Sequence, residues 1–86
     1  MWKINLDSTD KCEQLCHLCN LYKEYLDVNL IHGSLFMDGA SLMAVLALCF
    51  KKGVIIDIRC HDESVLEDFY DGISAIGAYW RHKKGE

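Results

Sequence analysis

Apolar and polar residues alternate over Trp2-Lys3-Ile4-Asn5-Leu6, the two-residue period of a half-buried strand. Asp7-Ser8-Thr9-Asp10 interrupts it with turn and cap residues. Any of the last three can cap a helix. Asp10 with Glu13 fits capping-box spacing better than Thr9 with Cys12. From Lys11 to Tyr25 the period becomes helical. Leu15, Leu18, Cys19 and Tyr22 share a stripe, with Cys12 and Cys16 at its edge, while Glu13, Gln14, Lys23 and Glu24 mostly face away. Alternation returns over Asp27 to Ile31, with Val28 and Leu30 inward. His32-Gly33-Ser34 reads as a hairpin turn and Leu35-Phe36-Met37 as a short third strand ending at Asp38-Gly39.

The stretch from Met37 to Ile58 is the most informative. Ser41 is placed to cap a short apolar helix, because its hydroxyl can accept from a free backbone N–H of the first turn. Leu42, Val45, Leu48 and Cys49 recur at three- and four-residue spacing and make one face; Met43, Leu46 and Phe50 fall off it. Lys51 and Lys52 sit where cations favour the end of a helix dipole, and Gly53 where a left-handed backbone stops one. Val54 to Ile58 is rich in β-branched residues and predicts a fourth strand. Asp62 or Ser64 can cap a last helix running to about Trp80, with Val65, Phe69, Ile73, Ile76 and Tyr79 or Trp80 as its apolar stripe. Gly72 and Gly77 weaken that helix and permit close packing on the sheet.

The predicted order is βαββαβα, an α+β fold in which helices cover one face of a sheet. At 86 residues the chain reads as a single domain, 1–86, with a polar tail over 81–86. Hydrophobic residues make up 51% of it, too many for a disordered chain. No apolar run approaches a membrane span, and the N-terminus lacks the apolar core of a secretory signal. A formal charge of −4 argues against a general nucleic-acid binder, which needs a basic face to displace counterions. Five cysteines without a signal sequence fit free, mostly buried thiols in a reducing cytoplasm.

The central segment, Gly39-Ala40-Ser41-Leu42-Met43-Ala44-Val45-Leu46-Ala47-Leu48 followed by Gly53-Val54-Ile55-Ile56-Asp57-Ile58, resembles that of the HPr family in order and spacing. These are the small histidine-containing phosphocarriers of the bacterial sugar phosphotransferase system. The resemblance runs roughly from Ile4 to Ile76. It implies an HPr-like open-faced sandwich, with three helices on one face of a four-stranded antiparallel sheet. The family carries phosphate on a histidine at the start of the first helix, followed two residues later by an arginine. A helix N-terminus and a guanidinium both stabilise a phosphoryl group. The matching stretch here, Asp7-Ser8-Thr9-Asp10-Lys11-Cys12, has no histidine or arginine and two carboxylates, and His17 lies well inside the helix. The expectation is a non-enzymatic relative without phosphohistidine transfer and without cofactor.

In Gram-positive members of the family the serine opening the central helix is phosphorylated by a dedicated kinase, and the modified protein binds a transcriptional regulator. Ser41 stands in that position, although the lysine that often precedes it in the family is Ala40 here. Ser41 therefore reads either as a plain N-cap or as a regulatory phosphorylation candidate. The family docks partners on the exposed apolar side of this helix. That makes Leu42, Met43, Leu46 and Phe50 docking candidates, for a protein partner or for a homodimer contact. Cys12, Cys16 and Cys19 with His17 lack the spaced ligand pairs of a structural zinc site and read as core thiols, not metal ligands. Two functional readings follow. One is a cytoplasmic regulatory or interaction module; the other is a catalytically silent α/β module that binds a small ligand or dimerises.

Overall fold

The computed structural model describes residues 1–81. The chain forms β1 (Trp2–Ile4), α1 (Thr9–Leu21), β2 (Leu26–His32), β3 (Leu35–Asp38), α2 (Leu42–Leu46), β4 (Val54–Cys60), a 3-10 turn (Glu63–Val65), α3 (Leu66–Ala75) and β5 (Tyr79–Trp80). The sheet is antiparallel, in the order β3-β2-β4-β1-β5. It is an α+β domain, but with five strands where the sequence predicts four.

The fifth strand arises because the last helix stops early. Gly77 adopts φ 101°, a conformation a helix cannot continue, and its N–H donates to Ser74 O at 3.0 Å. Ala78 turns into the core, and Tyr79 and Trp80 pair with Lys3 and Trp2. Trp2 holds them from the other side: its ring stacks on Tyr70 at 5.2 Å and meets Trp80 edge-on at 5.8 Å. Arg81 is not a free tail residue. It exchanges two 2.8 Å backbone hydrogen bonds with Met1. The remainder of the expected tail lies outside the described residues.

Strand alternation decides which face of the sheet is covered. Ile4, Leu26, Val28, Leu30, Val54 and Ile56 are buried and share one face with Cys12, Leu15, Cys16 and Cys19 of α1, Val45 and Leu48 around α2, and Phe69 and Ile73 of α3. Register places Phe36, Ile31, Ile55, Lys3 and Tyr79 in one row across the opposite face, with Asp38, Asn29 and Asp57 in the next.

The inward stripe of α1 is rotated from the expected one. All three of its cysteines are buried, whereas Leu18 and Tyr22 lie at the margin. Ser8, not Asp10, caps the helix, accepting from Lys11 N–H at 3.2 Å. Gly72 gives close approach to α1 instead of to the sheet, since a Cβ there would stand 3.1 Å from Leu18 Cδ2. A two-residue turn at Gly33 (φ 60°) and Ser34 joins β2 to β3, with His32 inside the strand.

Candidate functional site

The segment after α2 is fastened to the segment before α1. Leu6 N–H donates to Lys51 O at 2.9 Å, Phe50 N–H donates back to Leu6 O, and Gly53 N–H meets Asn5 Oδ1 at 2.8 Å. These bonds bring the end of the central helical stretch beside the start of α1. Ser41, at the other end of that stretch, lies instead near the last turn of α1, where Asn20 Nδ2 donates to Ala40 O at 2.9 Å. The family resemblance expects function at two places.

The first is the N-terminus of α1. Ser8 Oγ occupies the cap and Ser8 O accepts from Cys12 N–H at 3.2 Å. Asp7 is paired with Lys11, Oδ1 to Nζ 3.3 Å, and Thr9 and Asp10 are exposed. No described histidine stands here. His17 is exposed on the ninth residue of α1, about 12 Å along the axis at 1.5 Å per residue. With Asp7 balanced by Lys11, it is Asp10 that adds negative charge at this helix end, which opposes a phosphorylated donor.

The second is α2. Ser41 caps it, accepting from Ala44 N–H at 3.4 Å. The preceding turn is closed by Asp38, whose carboxylate accepts from Ala40 N–H at 2.9 Å and whose carbonyl accepts from Ser41 N–H at 3.1 Å. A phosphoryl group on Ser41 Oγ would share this end with the Asp38 carboxylate, and Ala40 stands where the family often has a lysine; Lys23 and Arg59 line a hollow shared with Asp38 and Ala40.

The apolar side is explicit. Met43 is 84% exposed, Phe50 73%, Leu42 44% and Leu46 36%, whereas Val45 and Leu48 are fully buried. Leu42, expected on the inward stripe, belongs with the exposed group. Met43, Leu46 and Phe50 follow one another at spacings of three and four. Met43 and Leu46 share a flank of α2, and Phe50 is exposed beyond the helix, at the turn bonded to Leu6.

Phe50 has φ 70°, the one non-glycine residue described with a positive φ. For a bulky side chain this backbone is strained by about 1–2 kcal/mol. It persists because the hydrogen bonds of Phe50 and Lys51 to Leu6 fix the chain on both sides. Sequence reasoning singled out the side chain but missed its conformation. The glycine signal lies three residues later at Gly53 (φ 67°), and nothing in the type of residue 50 marks a left-handed turn.

The cysteines are elsewhere. Burial pushes the Cys12 thiol up to about 12, helped by its hydrogen bond with Cys49, and burial, helped by Cys16 and the Asp38 carboxylate, pushes Cys19 up to about 12. Cys16 is raised for the same reason, and its thiol donates to Ala40 O at 3.6 Å. Thiols held protonated in an apolar core are poor nucleophiles and poor metal ligands. Among the described residues no group of three or more His, Cys, Asp and Glu side chains is arranged around a metal-sized position. No described helix is long and apolar enough to cross a membrane. The chain matches no protein-family model, no curated protein and no solved structure.

Proposed function

We propose that the protein is an HPr-like interaction module of the bacterial cytoplasm that has no phosphohistidine carrier chemistry and is not an enzyme. It acts by seating a protein partner on the outer flank of α2 and the turn at Phe50. The observation that carries this reading is the exposed quartet Leu42, Met43, Leu46 and Phe50, joined to an α1 N-terminus that offers carboxylates in place of a histidine. The element order, with a helix-covered antiparallel sheet, supports the HPr-like open-faced sandwich; β5 is an addition to that pattern. Methionine and phenylalanine exposed together suit an adaptable contact with a few dominant anchors. Ser41 is the position where a kinase would tune the contact, against the local opposition of Asp38.

Two labelling experiments test the reading. Incubation with phosphoenolpyruvate and the general phosphotransferase enzyme, followed by mass spectrometry, should add no phosphate; a labile phosphoryl group on any residue would overturn it. Incubation with an HPr kinase and ATP should label the wild type and leave Ser41→Ala unlabelled. If the wild type also stays unlabelled, Ser41 is only a cap and the regulatory part of the proposal fails.

A further inference from the structure

The β3 edge of the sheet is open and self-complementary, and we propose that two copies of the chain pair there, β3 against β3 in antiparallel register, to make a continuous ten-stranded sheet. The argument begins with backbone direction. The hydrogen bond from Gly39 N–H to Val28 O (2.9 Å), carried along the β2–β3 register, makes Leu30–Met37 and His32–Leu35 the bonded pairs. Residues between bonded pairs point their backbone groups the other way. Phe36 therefore directs both its N–H and its C=O outward, and no described strand lies beyond β3 to receive them.

The side chains select the register. Antiparallel pairing about a two-fold axis sets residues of one face opposite one another, so the axis must pass through a residue. Centred on Phe36, it lets each Phe36 exchange two backbone bonds with Phe36 of the second copy. The two phenylalanines sit side by side on the open face. On the helix-covered face each Leu35 meets Met37 of the other copy, and on the open face Ser34 meets Asp38. Every central pair is apolar and no like charges face each other. Centring on Met37 would set Phe36 against Asp38, and centring on Leu35 would set it against Ser34. Both waste the aromatic pair.

Exposure fits this occupant. Phe36 is 60% exposed and Leu35 38%, while Met37 is half-buried against the core. β3 is short and ends in one charge, Asp38, but the other devices that blunt an edge are missing. Residues 35–38 hold no lysine and no proline, and their register with β2 runs without a bulge. The other edge, β5, offers only two residues. The paired edges would also continue the open-face row, Tyr79-Lys3-Ile55-Ile31-Phe36, directly into the same row of the second copy.

The test is the oligomeric state of the full chain. An edge contact this small gives a dissociation constant on the order of 10⁻⁴ M. Sedimentation from about 10 µM to about 1 mM should thus pass from monomer toward dimer. Phe36→Lys, at an exposed position that leaves folding intact, should weaken association at least tenfold by opposing two ammonium groups.

Cross-linking reads the register directly. A bonded antiparallel pair has Cα atoms about 5.5 Å apart, within disulfide range. In a Cys60→Ser background, Phe36→Cys should form a covalent dimer on mild oxidation by a small-molecule disulfide, and Leu35→Cys, offset from its own copy, should not. A wild type that stays monomeric at about 1 mM would overturn the proposal. So would unchanged association in Phe36→Lys, or equal cross-linking at the two positions.

Discussion

Phe50 holds a left-handed backbone with a bulky side chain, and that conformation can be weighed by comparing two substitutions. Phe50→Ala and Phe50→Gly both remove a ring that is 73% exposed, so both lose the same small amount of packing. Alanine keeps the Cβ and with it the penalty of φ 70°, about 1–2 kcal/mol. Glycine removes that penalty but is more flexible when unfolded, which costs about 0.5–1 kcal/mol. The difference leaves glycine more stable than alanine by roughly 0.5–1 kcal/mol, the reverse of their order in ordinary helix or strand positions. In urea, with a slope near 1 kcal/mol per molar for a chain of this size, the glycine midpoint should lie roughly 0.5–1 M higher. By heating it should melt about 2–8 °C later. An alanine variant as stable as the glycine one, or more so, would refute the reasoning: the bonds to Leu6 would then not be forcing the turn. Because both variants lack the ring, they also separate contact from stability, and partner binding should fall equally in the two.

The buried thiols give a pH prediction. Cys12 and Cys19 sit near 12 in the fold against an ordinary 9.0, so the folded state holds protons that the unfolded chain releases. Their contribution is complete below about pH 9 and is lost as pH rises toward 12, at about 1.4 kcal/mol per pH unit for each thiol in that window. Urea midpoints from pH 8 to 10.5 should fall steeply, and Cys19→Ala should have the shallower slope; equal slopes would show that Cys19 ionises in the fold. Gly39→Ala should cost about 1–3 kcal/mol by overpacking, because its Cβ would stand 3.0 Å from Cys19 Sγ and 3.1 Å from Val28 O. Thermal unfolding checks it, and a loss under 0.5 kcal/mol would mean that the α1–β2 contact yields easily.

Features written in local chemistry were legible in the sequence. The Gly33-Ser34 turn, the inward Val28 and Leu30, the cap at Ser41 and the exposed flank of α2 each depend on neighbours within a few residues, and each is where the pattern put it. Features set by distant partners were not. Tyr79 and Trp80 continue a helical period from Ile76, and only Gly77 and the pairing with Trp2 and Lys3 turn them into a strand. The cysteine-rich side of α1 faces inward, with Cys12 meeting Cys49, Cys16 meeting Ala40 and Cys19 lying by Gly39, whereas a hydrophobicity ranking favours the leucine and tyrosine stripe. At the candidate site the residue types were readable and their geometry was not. The left-handed Phe50 and the carboxylate of Asp38 under Ser41 are both products of long-range or turn hydrogen bonding.

The strand order has a kinetic consequence. β4 lies between β2 and β1 and pairs with both, although it follows them by tens of residues in the chain. The hairpin of β2 and β3 closes a two-residue loop and can form within microseconds. β1 has no neighbour until Val54–Cys60 arrives, and β5 must then close almost the whole chain onto Trp2. Loop-closure entropy makes such pairings late and slow. A chain emerging from the ribosome N-terminus first therefore carries an unpaired first strand and a hairpin with both edges free until more than half of it has been made. For that interval the seven-residue β2 edge, later covered by β4, is as open to a crowded nascent neighbour as the Phe36 edge.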